Sequence, residues 1–371
     1  MGALIHYYIH GRGRGHATRS RAVIDMLRAA GYAVRVFAGE DARALFSGDH
    51  TPVLSMPLGI GWSLPALLYG RVRAAGRALR QEGARIVLSD GDMPSMLAGR
   101  LSGVPTVAIG HGLVFSHCHP PPGAPRAPWR REALKARLAS VGASHCIAVN
   151  FAQLSPRAAQ FTSLARPVLP MEGARPDPAR PAADAPLLCY FRDGNGDAVA
   201  QAAAALGVPV ILFGGAPEVL LPGVTRMSFS AAAFHQVLLR ARAVLSSAGS
   251  QLMSECLLYG IPQLALFQDG DDEQRLNAHM LQGMSLYSYG LPFGECSAEA
   301  IEAFVRRLPA QPLPLAHGMP ARAVTEVACS VVQALIGAAE RAPCRAGGCK
   351  GDEPPAYSHD CRELTVNDRD K

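Results

Sequence analysis

Two doubly wound α/β domains, one after the other, are the architecture predicted by this 371-residue sequence. Three observations lead there. Short apolar runs alternate with amphipathic stretches along most of the length, the pattern of parallel strands joined by crossover helices. One form of helix-to-strand joint occurs three times, as Gly103-Val-Pro105, Gly207-Val-Pro209 and Gly260-Ile-Pro262. Glycine closes the helix, and proline enters a strand edge where a missing N–H is tolerated. The alternation also breaks at residues 170–186, which are proline-rich and poor in large apolar residues, as in a semi-rigid linker. The expected division is therefore a first domain over 1–169, a linker over 170–186, a second domain over 187–340 and a polar, aperiodic tail over 341–371 that is expected to be disordered.

Each element follows from local pattern. Residues 4–9 form a buried apolar strand, and residues 10–15 a glycine-rich loop. In the next segment Val23, Met26, Leu27 and Ala30 share one helical face, Arg19, Asp25 and Arg28 are expected on the solvent face, and Gly31 ends the helix. Residues 34–38, 86–89, 106–110 and 145–149 read as further strands with helical stretches among them. In the second half the strands are 187–190, 210–213, 244–246 and 263–267. The helices lie near 197–206, 232–241, 251–259 and 273–282, with one more over 321–339 after a proline-broken stretch.

Composition narrows the function. With 49% apolar and 18% charged residues the chain builds real cores, which excludes a fibrous or wholly disordered protein. A net charge of +6 suits anionic ligands such as nucleotides or lipid headgroups and falls short of a nucleic-acid footprint. No apolar run is long enough to span a membrane. Nine cysteines, an odd number, behind a start without a charged leader lead to the expectation of reduced thiols in the cytoplasm.

The first chemical motif is Gly11-Arg12-Gly13-Arg14-Gly15-His16, between a strand and a helix. Glycines there, Gly13 and Gly15 among them, let the backbone approach a ligand, and the helix start offers free N–H groups. The spacing is neither the dinucleotide fingerprint nor a P-loop. His16 falls at the C-terminal edge of the sheet, where an imidazole suits removal of a proton from a hydroxyl. Asp90, ending the strand over 86–89, is the candidate to orient it, and Asp92 is the competitor. The plainer alternative makes His16 a helix-start residue bonded only to its own loop.

The second constellation is denser. A strand leads into Ser247-Ala248-Gly249-Ser250, a helix carries Glu255, and a further strand leads into Gln268-Asp-Gly-Asp-Asp-Glu-Gln274 and Asn277. Small residues at Gly249 and Ser250 make a diphosphate site without a metal. Glu255, one turn on, stands where a ribose would extend, although alone it also reads as a solvated helix residue. Asp272, Glu273 and Gln274 open the next helix with groups suited to sugar hydroxyls.

This ordered set resembles nucleotide-sugar glycosyltransferases of the GT-B architecture, in which two Rossmann-like domains face a central cleft. It is most similar to the MurG-type and UDP-glucuronosyltransferase-type enzymes. The likeness is dense over residues 243–277, moderate over 5–27, and visible at Val87-Leu-Ser-Asp90 and Gly103 to His111. Two positions depart from the pattern. Ser247 replaces a common histidine, and Arg192-Asp-Gly-Asn-Gly196 replaces a Gly-Gly-Ser turn.

The resemblance implies a nucleoside diphosphate sugar donor, UDP before dTDP, held mainly by the second domain, and a hydroxyl acceptor held mainly by the first. Gly249 and Ser250 would hold the diphosphate, Glu255 the ribose, and Glu273 with Gln274 the sugar. Residues 227–230 would line the base, with Phe229 beside it, and Arg192 would reach phosphate through its charge. His16 would be the general base of an inverting single displacement, with neither metal nor cofactor. A hydrolase or 2-epimerase on the same fold, and a non-catalytic binding subunit, are the alternatives. Residues 120–137 hold Arg126, Trp129, Arg130, Arg131, Lys135 and Arg137. They read as a loop and a solvated helix, or as a peripheral contact with an anionic membrane. Cys344, Cys349, His359 and Cys361 match no zinc spacing.

Overall fold

In the computed structural model the apolar runs form two wholly parallel sheets. It describes residues 2–10, 14–46, 48–54, 64–169, 185–191, 196–214, 220–309 and 318–341. The first sheet contains β1 (Leu4–Ile9), β2 (Ala33–Gly39), β3 (Thr51–Val53), β4 (Ile86–Asp90), β5 (Thr106–Gly110), β6 (His145–Val149) and β7 (Thr162–Ala165), in the order β3-β2-β1-β4-β5-β6-β7. Its helices are α1 (Arg14–Ala29), α2 (Leu64–Glu82), α3 (Met93–Leu101), α4 (Leu113–His117) and α5 (Arg126–Ala139). β1 pairs with β2 on one side and β4 on the other, so the winding direction reverses between β1 and β4. Crevices of this kind, at the carboxyl ends of strands, are where doubly wound sheets bind ligands.

The second sheet repeats the plan with β8 (Leu187–Tyr190), β9 (Val210–Phe213), β10 (Val224–Met227), β11 (Ala243–Ser247), β12 (Gln263–Phe267) and β13 (Tyr289–Pro292), in the order β10-β9-β8-β11-β12-β13. Here the reversal lies between β8 and β11. Its helices are α6 (Gly196–Ala204), α7 (Ala231–Arg240), α8 (Ser250–Leu258), α9 (Asp272–Gln282) and α10 (Ala298–Arg306). The three Gly-x-Pro joints sit as predicted. Gly103, Gly207 and Gly260 have φ of 68°, 74° and 63°, the left-handed region that ends a helix and favours glycine.

The last helix departs from expectation. α11 (Val324–Arg341) does not cover the second sheet. Its Val324, Val327, Ala328 and Val332 are buried with Val23, Ile24 and Leu27 of α1 and Ile147 and Val149 of β6. An apolar stripe on a helix shows that a sheet must cover it and leaves open which one. Four short edge strands, β3, β7, β10 and β13, also join the expected set. A separate apolar cluster forms the seam between the sheets, with Phe115 and Trp129 from the first half among Met253, Leu276 and Met280 from the second. The expected linker, apart from its last two residues, and the tail from 342 lie outside the described residues.

Candidate active site

The register brings Ile9, the end of β1, beside Asp90, the end of β4. His16, in the first turn of α1, places Nδ1 2.6 Å from Asp90 Oδ1. Three more donors converge on that carboxylate. Arg19 gives Nη2–H to Oδ1 at 2.6 Å and Nε–H to Oδ2 at 2.9 Å, and Ser20 gives its hydroxyl to Oδ2 at 3.1 Å. His16, Arg19 and Ser20 are spaced i, i+3, i+4, so one helical face presents all three. Asp90 is fully buried, whereas the His16 side chain is 35% exposed. Burial alone would raise the Asp90 carboxyl, but the Arg19 charge and then His16 overcome it and hold the group well below the usual carboxylate range.

That geometry selects a tautomer. An ionised carboxylate only accepts, so His16 Nδ1 carries the hydrogen it donates to Asp90, and in the neutral ring the lone pair is then on Nε2. Gly91 lies against both His10 and His16. Its φ is 81°, and a Cβ there would stand 3.1 Å from the His10 side chain and 3.5 Å from His16 Cε1. Asp92, the competitor, is committed elsewhere. It accepts from Arg71 at 2.7 Å and from the Ser95 backbone N–H at 3.1 Å as the cap of α3. Arg19, expected on the solvent face of α1, is 9% exposed and buried against Asp90. Residue type alone suggested solvent, and its partner lies 71 residues away.

In the second half, Gly249 caps α8 after β11, with open space where a Cβ would be, and α8 carries no acidic residue in its first turn. Gly249 is exposed and Ser250 half-buried, so the first N–H groups of α8 end in an accessible turn. Glu255 is 4% exposed, which overturns its reading as a solvated residue. Gln251 Nε2 donates to Glu255 Oε1 at 3.0 Å, and His235 Nε2 lies 3.3 Å from Oε2 without hydrogen-bonding geometry. The His235 imidazole is raised, chiefly by Glu255. Phe229 is 40% exposed beside Tyr190, Phe213 and Phe234, at centroid distances of 5.7, 6.3 and 5.6 Å.

At the start of α9 the three predicted residues part company. The Asp272 carboxylate is engaged by Arg131 of α5, with Nη2 to Oδ1 at 2.7 Å. Glu273 is exposed, and Gln274 is half-buried with a buried Oε1 that has no hydrogen-bond partner. The two halves meet electrostatically here. Burial alone would lower the Arg19 guanidinium, but Asp90 reverses this, and Glu273 of the other sheet adds to the effect. Gly15 is exposed in the first turn of α1, with open space around it. Gly13 and Arg192 lie outside the described residues. Ser20 and His235 had no role in the sequence reading, and Arg19 and Arg131 stood there as a solvent-facing residue and part of a basic segment. Only the i, i+3, i+4 spacing from His16 could have pointed to Arg19 and Ser20 as partners of Asp90.

Two doubly wound parallel sheets, each with candidate ligand groups at its reversal point and joined across a common seam, define the GT-B class of glycosyltransferases. Solved structures share this fold. MurG of Acinetobacter baumannii is 16% identical with a TM-score of 0.65, over 90% of this chain and 99% of that one. The glycosyltransferase SnogD from Streptomyces nogalater is 16% identical with a TM-score of 0.54, over 90% and 100%. The Streptomyces sp. SF2575 glycosyltransferase SsfS6, complexed with thymidine diphosphate, is 17% identical with a TM-score of 0.53, over 89% and 99%. No match is found among curated proteins. The chain belongs to glycosyl transferase family 1, whose family model matches residues 78–309.

Proposed function

We propose that this glycosyltransferase moves a sugar from a nucleoside diphosphate, UDP in preference to dTDP, to an acceptor hydroxyl by one inverting displacement that needs no metal ion. The observation that carries the proposal is the His16–Asp90 contact of 2.6 Å, which leaves Nε2 of a half-exposed ring as the free base. The acceptor O–H gives its proton to that nitrogen as its oxygen attacks the anomeric carbon. The bond from that carbon to the diphosphate oxygen breaks, and the nucleoside diphosphate leaves with the electron pair. Its charge meets the first N–H groups of α8 from Ser250 onward, while Gly249, whose own N–H is given to the Ser247 carbonyl, leaves the approach open, and Asp90 stabilises the imidazolium formed. A buried carboxylate at Glu255 suits the two hydroxyls of a ribose, which favours UDP over a deoxyribose nucleotide. Glu273 and Gln274 are the proposed sugar contacts, Phe229 the base contact and Arg192 a phosphate contact, while Asp272 serves through its Arg131 pair.

The first sheet with α11 would form the acceptor domain, and the chain from 187 to the end of α10 the donor domain. Leu134 and Leu138, 60% and 57% exposed beside Arg130 and Arg137 on α5, favour peripheral contact with an anionic membrane on the acceptor side. No helix among the described residues is long and apolar enough to cross one.

The test is turnover of a UDP-sugar and dTDP-sugar panel with mixed hydroxyl acceptors. Acceptor-dependent release of UDP is expected, and His16→Ala should lower kcat by about a hundredfold or more without loosening UDP. Rapid release of free sugar or epimer without acceptor would make the protein a hydrolase or epimerase instead. Unchanged turnover in His16→Ala would remove the base assignment.

A further inference from the structure

A polar chain crosses the apolar seam between the sheets, and the proposed reaction does not use it. His111 follows β5 and is 6% exposed. Nδ1 stands 2.9 Å from the Val149 carbonyl at the end of β6, and Nε2 stands 2.7 Å from Oδ1 of Asn277 on α9. Asn277 is 1% exposed, and its Nδ2 donates to the Ala248 carbonyl at 3.1 Å. Ala248 is the residue before Gly249, in the turn that opens α8. A carbonyl of the first sheet is thus linked through a ring and an amide to the turn of the second sheet assigned to the diphosphate. The ring is held edge-on to Phe115 at 5.8 Å, which in turn meets Trp129 edge-on at 5.1 Å.

The directions of these bonds are set by the acceptors. Ala248 offers only an oxygen, so the Asn277 amide must turn its NH2 there and its Oδ1 toward His111. The ring therefore meets Asn277 as an Nε2–H donor, and it can meet the Val149 carbonyl only as an Nδ1–H donor. Buried polar chains of this kind fix one arrangement, because a broken link leaves a buried polar atom unpaired.

We infer that His111 is a positioning residue acting across the domain seam: through Asn277 it fixes the Ala248–Ser250 turn, and with it the first N–H groups of α8, relative to the first sheet. The link is a matter of geometry. Its bearing on the donor diphosphate rests on the function proposed above.

The test is hydrogen–deuterium exchange of the full-length protein over residues 248–258, with UDP titrated calorimetrically in parallel. His111→Ala and Asn277→Ala should each speed exchange in the first turn of α8 by about tenfold, and the double variant should go no further, because both cut one chain. Glutamine reaches approximately the Nε2 position of histidine and asparagine its Nδ1 position. His111→Gln should therefore restore protection and His111→Asn should not, which also decides the matter if the alanine variants fail to fold. Unchanged exchange in a folded His111→Ala, additive effects in the double variant, or equal rescue by asparagine would overturn the inference. If the exchange pattern holds while the wild type binds no UDP, the positioning role stands and the donor assignment falls. If UDP binds and exchange is unmoved, the reverse is true.

Discussion

Asp90 joins chemistry to stability at the scale of a single residue. Its carboxylate orients the His16 ring and also neutralises Arg19, whose side chain is 10% exposed. Removing one partner of a buried pair strands the other, so Asp90→Asn should cost about 3 kcal/mol in denaturant unfolding as well as activity. Because the folded carboxyl is held below its ordinary value, its contribution is present above about pH 4 and lost as the pH falls through the folded value. The wild type should therefore lose stability below about pH 4 more steeply than Asp90→Asn does. His235 has the opposite sign. Glu255 raises it, so that contact contributes fully below about pH 6.5 and fades as the pH rises through the higher folded value. Melting temperatures at pH 6 and pH 8 should show that fall in the wild type and little of it in His235→Gln.

Among elements, the turns after β1, β4 and β11 carry the site, and Gly91 is the one whose backbone is most constrained by it. A side chain there meets both a left-handed φ and the His10 Cβ, so Gly91→Ala should cost about 1–2 kcal/mol and lower kcat. Gly270→Ala is the control, with φ of 89° and open space, and should cost stability without kcat; stopped turnover and unfolding curves on both variants check this. Central strands were legible in the sequence because burial on both faces makes them continuous apolar runs, as in Ile86–Asp90 and Gln263–Phe267. Edge strands such as Val224–Met227 were not, being four residues long and only half-buried. His16, Asp90 and Glu255 could be read because the motif spacing places them at strand ends and one helical turn beyond. Their partners could not. Arg131 and Asp272 are 141 residues apart, and no local pattern encodes such a meeting.

Over the whole molecule, the chain passes from the first sheet to the second and returns. α11 buries Val324, Val327 and Val332 on the first core, worth roughly 5 kcal/mol together at about 1.5–3 kcal/mol for each fully buried side chain. That is comparable to the whole stability of a typical domain. Truncation before Val324 should therefore unfold the first domain and leave the second, seen as loss of one of two transitions in a thermal scan. The return also ties both ends of the described chain to the sheet whose helix holds His16, while Gly249 and Glu255 belong to the second. In the proposed mechanism these two half-sites divide the work, the first supplying the base and the second holding the nucleotide. Calorimetric titration of UDP into the wild type, His16→Ala and Glu255→Ala separates the two roles. Binding should be equal in the wild type and His16→Ala and at least about tenfold weaker in Glu255→Ala, whereas equal affinity in all three, or weakening confined to His16→Ala, would contradict it.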